Sequence, residues 1–199
     1  VPEDLMNVVE ISAGTAHTAA LKEDGTVVAW GYNEGQCNVP VDLNNVKAIS
    51  AGGDYTVSLK EDGIVVAWGS NHYGECNVPE GLVNVVAISA GYSHIVALKD
   101  NGTVVSWGNN EHGQCDVPEG LENVKVISAG ETHTVALKED GTVVAWGGNN
   151  SNWGQCDVPA DLNKVKAISA GNWHTVALQE DGTVVEWGHE NPFRCNNTF

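Results

Sequence analysis

The stretch Leu137-Lys138-Glu139-Asp140-Gly141-Thr142-Val143-Val144-Ala145-Trp146-Gly147 decides the fold, because versions of it also begin at Leu21, Leu59, Leu98 and Leu178. Each copy sets a short polar turn ending in glycine between two apolar, β-branched runs, and the second run stops at Trp-Gly. Asp-Gly between such runs is a strong hairpin signal, since glycine takes the positive φ these turns require. Self-similarity of this kind takes precedence over any local reading.

The spacing is regular. Trp30, Trp68, Trp107, Trp146 and Trp187 recur at intervals of 38, 39, 39 and 41 residues, and Gly14, Gly52, Gly91, Gly130 and Gly171 repeat the same intervals. Cys37, Cys76, Cys115, Cys156 and Cys195 show the longest step one interval earlier. That displacement places a two-residue insertion near Asn150 to Trp153, in a segment expected to be an exposed tip.

Within each repeat three strands are expected. The first is Val/Ala-Ile-Ser-Ala before a glycine (Val8 to Gly14), the second is typified by His133 to Lys138, and the third by Thr142 to Trp146. A short fourth, Gln-Cys-Asp-Val before Pro159, reads as either a strand or a connector. Short strands punctuated by turns suit a sandwich, a barrel or a propeller, and a fixed period of about 40 residues selects the propeller. The expectation is an all-β, five-bladed propeller forming a single domain over residues 1–199, with repeats at about 8–46, 47–85, 86–124, 125–165 and 166–199. Val1-Pro2-Glu3-Asp4-Leu5 matches Val78-Pro79-Glu80-Gly81-Leu82, so residues 1–7 would complete the last repeat and the two termini would close the ring. The small residues of the first strand suit the crowded axis, and the tryptophans suit the space between blades.

The net charge is −17, from 26 acidic and 9 basic residues. Phosphate binding relies on lysine and arginine, so nucleic acid is an unexpected partner, and an anionic membrane surface is disfavoured on the same ground. No apolar run approaches the ~18 residues that span a bilayer. No signal peptide is visible, yet Val1 is no initiator; a secreted or cell-surface location is expected ahead of a cytoplasmic one. The five cysteines, one per repeat, are too far apart in a propeller to pair and form no Cys-x-x-Cys, so they read as small buried hydrophobes.

Gly-x-x-His-Thr-x-Ala-Leu, Asp-Gly-x-Val-x-x-Trp-Gly-x-Asn and Gly-Gln-Cys together resemble the regulator of chromosome condensation repeat, over essentially the whole chain. The short period resembles the bacterial form, of the beta-lactamase inhibitory protein II type. The resemblance implies a propeller that works by binding. Relatives are usually seven-bladed, and leucine commonly stands where this chain has cysteine.

His17, His94, His133 and His174 share one repeat slot, which Tyr55 fills in the second repeat. Because tyrosine substitutes there, the slot reads as structural rather than as a metal site. No nucleophile–base grouping, phosphate loop or carboxylate pair stands out, so no catalysis, cofactor or metal is expected. The differences between repeats carry the information. The loops after the first and third strands share one face and vary, whereas the Glu-Asp-Gly turns on the opposite face are nearly uniform. Five of the seven tryptophans belong to the framework. Tyr32, Tyr73, Tyr92, Trp153, Trp173 and Phe193 all fall in loops of the variable face, accompanied by Glu34, Asp54, Glu111, Glu131, His72 and His112. Exposed aromatics on one face mark an interaction surface; the bland alternative is that they seal the propeller top. The expected function is therefore non-enzymatic binding of a protein with a basic or mixed-charge surface, with enzyme inhibition as one form. Carbohydrate binding is the alternative, and nucleotide exchange on a small GTPase ranks below it.

Overall fold

Fifteen strands in five groups of three make up the computed structural model, which describes residues 1–149 and 153–189. The groups are β1–β3 (Val8–Ala13, His17–Lys22, Val27–Gly31), β4–β6 (Val46–Ala51, Tyr55–Lys60, Val65–Gly69) and β7–β9 (Val85–Ala90, His94–Lys99, Val104–Gly108). They continue with β10–β12 (Val124–Ala129, His133–Lys138, Val143–Gly147) and β13–β15 (Val165–Ala170, His174–Gln179, Val184–Gly188). Each group is one antiparallel sheet in chain order, a blade of the propeller. The fourth strand does not form among the described residues: after Gln155 the chain turns, with Asp157 N donating to Gly154 O at 3.0 Å. Pro159 closely follows and lacks the amide a ladder would need.

All five first strands carry the same irregularity after their first residue, as at Val8/Glu10 and Val124/Val126. A bulge leaves one residue unpaired. Val9 and Val86 are accordingly exposed, and lysine stands there in the other three repeats.

Neighbouring blades stack face to face, β2 on β4, β5 on β7, β8 on β10 and β11 on β13. The middle strands are covered on both sides, so that all but their last residue is buried in β5, β8 and β11, polar His94, His133, Thr56 and Thr134 included. In one seam Val57, Leu59 and Val65 pack against Val85, Ala97 and Trp107. Tryptophan Nε1 atoms of Trp68, Trp107, Trp146 and Trp187 donate across the seams to the carbonyls of Gln36, Glu75, Gln114 and Gln155, at 2.9, 2.9, 3.1 and 3.0 Å. Burying such a ring stabilises a fold by about 3–5 kcal/mol relative to alanine.

The histidine slot is a second cross-seam bond. His17, His94 and His133 place Nε2 3.0 Å from Oγ1 of Thr56, Thr134 and Thr175 in the next blade. Those threonines in turn donate to the carbonyls of Gln36, Gln114 and Gln155. Where tyrosine replaces histidine, Ile95 replaces the answering threonine, and the Tyr55 hydroxyl reaches Gly91 O (2.9 Å) and His94 O (2.5 Å) instead. The repeating glycine before this slot is a packing requirement: a Cβ on Gly91 would lie 2.4 Å from both the His94 ring and Gly130 O.

The expected ring closure depends on Arg194 to Asn196, which lie outside the described residues. Among the described residues the seam between the fifth and first blades lacks the packing of the other four. Val8 is 37% exposed, whereas Val46, Val85, Val124 and Val165 are all at 4% or less. Thr18 is likewise half-buried where Thr56, Thr134 and Thr175 are fully enclosed.

Cys37, Cys76, Cys115 and Cys156 are unpaired but only partly buried, which corrects the expectation of enclosed hydrophobes. Each thiol faces a backbone carbonyl of its own loop, as in Cys76 Sγ to Ser70 O (3.2 Å) and Cys115 Sγ to Asn109 O (3.2 Å). The thiol thus serves as a weak donor as well as filler. Cys195 lies outside the described residues.

Three outcomes follow from this framework. Thr134→Val should lower unfolding free energy by about 1–3 kcal/mol in urea titrations, because it strands the buried His94 Nε2 and leaves the Gln114 carbonyl with the Trp146 indole as donor. Burial, and then a neighbouring histidine, lowers the imidazole pKa of His94 to about 3 and of His133 to about 4. The unfolded chain therefore binds more protons below its ordinary histidine pKa of about 6.5, and stability should fall as pH drops from there towards 4. A melting temperature that stays level across that window would refute this. Burial also raises Cys76 and Cys156 to about 11, so alkylation at pH 8 should be slow in native protein and fast after denaturation.

Candidate functional site

Strand direction sorts the loops into two faces. The pairs Ala13↔Thr18 and His17↔Gly31 bring the end of the first strand, the start of the second and the end of the third to one edge. Val8↔Lys22 marks the opposite edge. There the turn carboxylates are held by their own backbone: Asp24 Oδ1 accepts from Thr26 N at 3.0 Å, and Asp140 and Asp181 accept likewise from Thr142 and Thr183. These hydrogen bonds pull all three carboxyls below the usual aspartate range. Such turns are structural, which explains their uniformity.

Charge separates along the same axis. Lys22, Lys60, Lys99 and Lys138 end second strands at the turn edge, while Lys47, Lys125, Lys164 and Lys166 cluster at or just before first strands on that side. The loop face described here holds no lysine, and Arg194 lies outside the described residues. Among the described residues the ion pairs, Lys22–Asp24 and Lys60–Asp62, both sit in the turns.

Two recurring side chains shape the loops that follow the third strands. Asn71 Oδ1 accepts from Cys76 N (2.9 Å), and Asn110 Oδ1 from Cys115 N (2.8 Å). The buried amides of Gln36, Gln114 and Gln155 accept from the backbone N of Glu34, His112 and Trp153, at 2.7, 2.9 and 2.7 Å. They fix the tips on which the variable residues stand. Sequence reading passed over this role, although Trp-Gly-x-Asn and Gly-Gln-Cys recur visibly.

Tyr32, Tyr73, Tyr92, Trp153 and Trp173 are each between 42% and 56% exposed, half in contact and half open to solvent. Phe193 lies outside the described residues. Three groups emerge. Tyr32 donates through its hydroxyl to Glu34, and this raises the phenol pKa. In the middle, a cavity of about 210 Å³ gathers Asp54, His72, Tyr73, Glu75 and Tyr92. A neighbouring cavity of about 190 Å³ gathers Tyr73, Tyr92, Glu111, His112 and Glu131. Burial lifts the Glu131 carboxyl, and His112 beside it partly offsets the effect. At the far side His189 packs against Trp153 (centroids 4.6 Å apart) and Trp173 (6.1 Å). His189 and Glu75 were not among the residues expected here.

At the centre, Ala13, Ala51, Ala90, Ala129 and Ala170 with their following glycines line a funnel of about 330 Å³, as the small residues of the first strands required. Among the described residues no group of three or more His, Cys, Asp or Glu is arranged to hold a metal.

Among solved structures of similar fold is Prp20p from Saccharomyces cerevisiae, at 24% identity and a TM-score of 0.73, covering 91% of this chain and 58% of that one. Human WBSCR16 aligns at 19% identity and a TM-score of 0.77, covering 97% and 65%. The ectodomain of the Arabidopsis thaliana receptor kinase ACR4 aligns at 22% identity and 0.72, covering 96% and 70%. The chain thus spans less than two thirds of the length of Prp20p, and these likenesses speak to fold alone. No curated protein matches by sequence. The family model for the regulator of chromosome condensation (RCC1) repeat matches residues 8–36, 46–75, 85–114, 124–152 and 165–193. One model matching five times over, on five blades built alike, means that the chain belongs to the RCC1 repeat family.

Proposed function

We propose that this chain is a non-enzymatic propeller that binds a protein through its loop face, and that the partner presents a basic surface there. The observation that carries this reading is a coincidence on one face: half-exposed aromatics, several carboxylates and no lysine. Aromatic anchors supply most of the energy of protein interfaces, and complementary charge speeds encounter. The half-exposure of the rings favours contact over a sealing lid, since a lid would bury them. Tyr32, Glu34, Asp54, Tyr73, Tyr92, Glu111, Glu131, Trp153 and Trp173 form the proposed contact surface, with His72 and His112 between them.

Relatives of the same fold lend support. Prp20p is described with binding properties towards Gsp1p and histones, and Kap60 has been seen bound to yeast RCC1. Inhibition of an enzyme, as the short bacterial form of the repeat suggests, is one form the activity would take. The Trp153–His189–Trp173 ring cluster keeps carbohydrate binding as a second reading, because stacked rings also suit sugar faces.

Immobilised protein tested against extract of the source organism, beside Trp173→Ala and a double change of Glu139 and Asp140, separates these readings. Trp173→Ala should weaken capture of the partner by about 2 kcal/mol or more, with little change in melting temperature. The turn variant on the opposite face should bind as wild type does. A sharp fall in melting temperature at unchanged affinity would make the aromatics a packing lid. Selective binding on a glycan array would favour carbohydrate.

A further inference from the structure

The seam between the second and third blades departs from its counterparts at three linked positions. Tyr55 fills the histidine slot, Ile95 replaces the answering threonine, and Glu75 stands where three other repeats have Gln36, Gln114 and Gln155. The glutamines use both ends of the amide. While Oε1 fixes the loop, Nε2 of Gln36, Gln114 and Gln155 donates to Asp54 Oδ1 (3.5 Å), Asn109 Oδ1 (2.9 Å) and Thr132 Oγ1 (3.5 Å). Glu75 keeps the first contact, its Oε2 accepting from Tyr73 N at 2.9 Å. At the position of the glutamine nitrogen it carries a second oxygen, to which no donor is seen among the described residues.

Glu75 is only 3% exposed, and it lines the cavity of about 210 Å³ described above. A buried carboxylate is costly unless a cation or several donors compensate it. Among the described residues no lysine or arginine does so: Asp54 adds a second carboxylate, His72 is the one imidazole lining the cavity, and the lysines stand at the opposite edge. Tyr73 and Tyr92 border the cavity with half-exposed rings. The Tyr55 phenol behind it is pushed well above its usual range, first by burial and then by the charge of Glu75.

We propose that this cavity is a pocket for one arginine side chain of the protein partner, with Glu75 and Asp54 receiving the guanidinium between Tyr73 and Tyr92. Arginine suits it better than lysine, because a planar guanidinium stacks on aromatic rings while its fork of donors serves two carboxylates. The pocket rests on the loop-face reading and names the chemistry of its partner.

The test titrates Ac-Gly-Arg-Gly-NH2, and the same peptide with neutral citrulline for arginine, into the whole protein while amide resonances of Tyr73, Tyr92 and Ser93 are followed. The arginine peptide should shift these resonances and bind about tenfold or more tighter than its citrulline twin. Glu75→Gln restores the residue of the other repeats, so it should fold normally and lose about tenfold or more in arginine affinity. Asp54→Asn provides a second variant with the same expected direction. Equal affinity for both peptides, or unchanged arginine binding in Glu75→Gln, would overturn the pocket. So would calcium displacing the peptide with the same shifts, which would make it a metal site. If the arginine peptide fails while Trp173-dependent capture of a partner persists, only the pocket falls. If Glu75-dependent arginine binding stands while capture ignores Trp173, only the wider interface falls.

Discussion

Each blade is a three-stranded sheet that has to cover two faces, and everything else depends on its neighbours doing so. A small sheet cannot exclude water from both sides by itself, so the apolar middle strands are stable only when stacked. Two cross-seam bonds give the stack its register. The tryptophan indole seizes a carbonyl of the preceding connector, and the histidine ring meets a threonine of the following blade. Both join groups roughly one repeat apart, so a blade that slid would strand buried polar atoms as well as opening apolar surface.

This arrangement separates the two jobs of the molecule. Framework side chains point into seams, where any change must be answered across the interface, as Tyr55 and Ile95 illustrate. The loop tips are held from below by asparagine and glutamine side chains bonding to backbone. Their outward residues are therefore free to vary without disturbing the stack. Antiparallel strands put all such tips on one face and the Asx-type turns on the other, and lysines followed the turns. The anionic character of the loop face is thus a product of strand direction as much as of composition.

Departures from the repeat are most informative where the framework itself changes. Glu75 differs from glutamine at one atom: where the glutamines carry a nitrogen that donates, it carries a second oxygen. In an exposed loop such an exchange would be neutral. Inside a cavity walled by tyrosines it changes what the site can hold.

The sequence by itself determined the period, the five blades, the three strands and turn of each, and the division into a uniform and a variable face. These are local properties: β-branched alternation, Asp-Gly turns and repeated spacing act through neighbours in the chain. It also named Tyr73, Tyr92, Asp54, Glu111 and Glu131 as surface candidates, because they broke the repeat pattern. Only the tertiary structure decided which of them meet. Tyr73 and Tyr92 belong to different blades and border the same two cavities, and His189 reaches Trp153 and Trp173 from its own connector. It also decided that Gln-Cys-Asp-Val turns instead of pairing, that the cysteines stay partly open, and that Glu75 is enclosed. Those outcomes depend on how one blade lies against the next, and no local pattern encodes that distance.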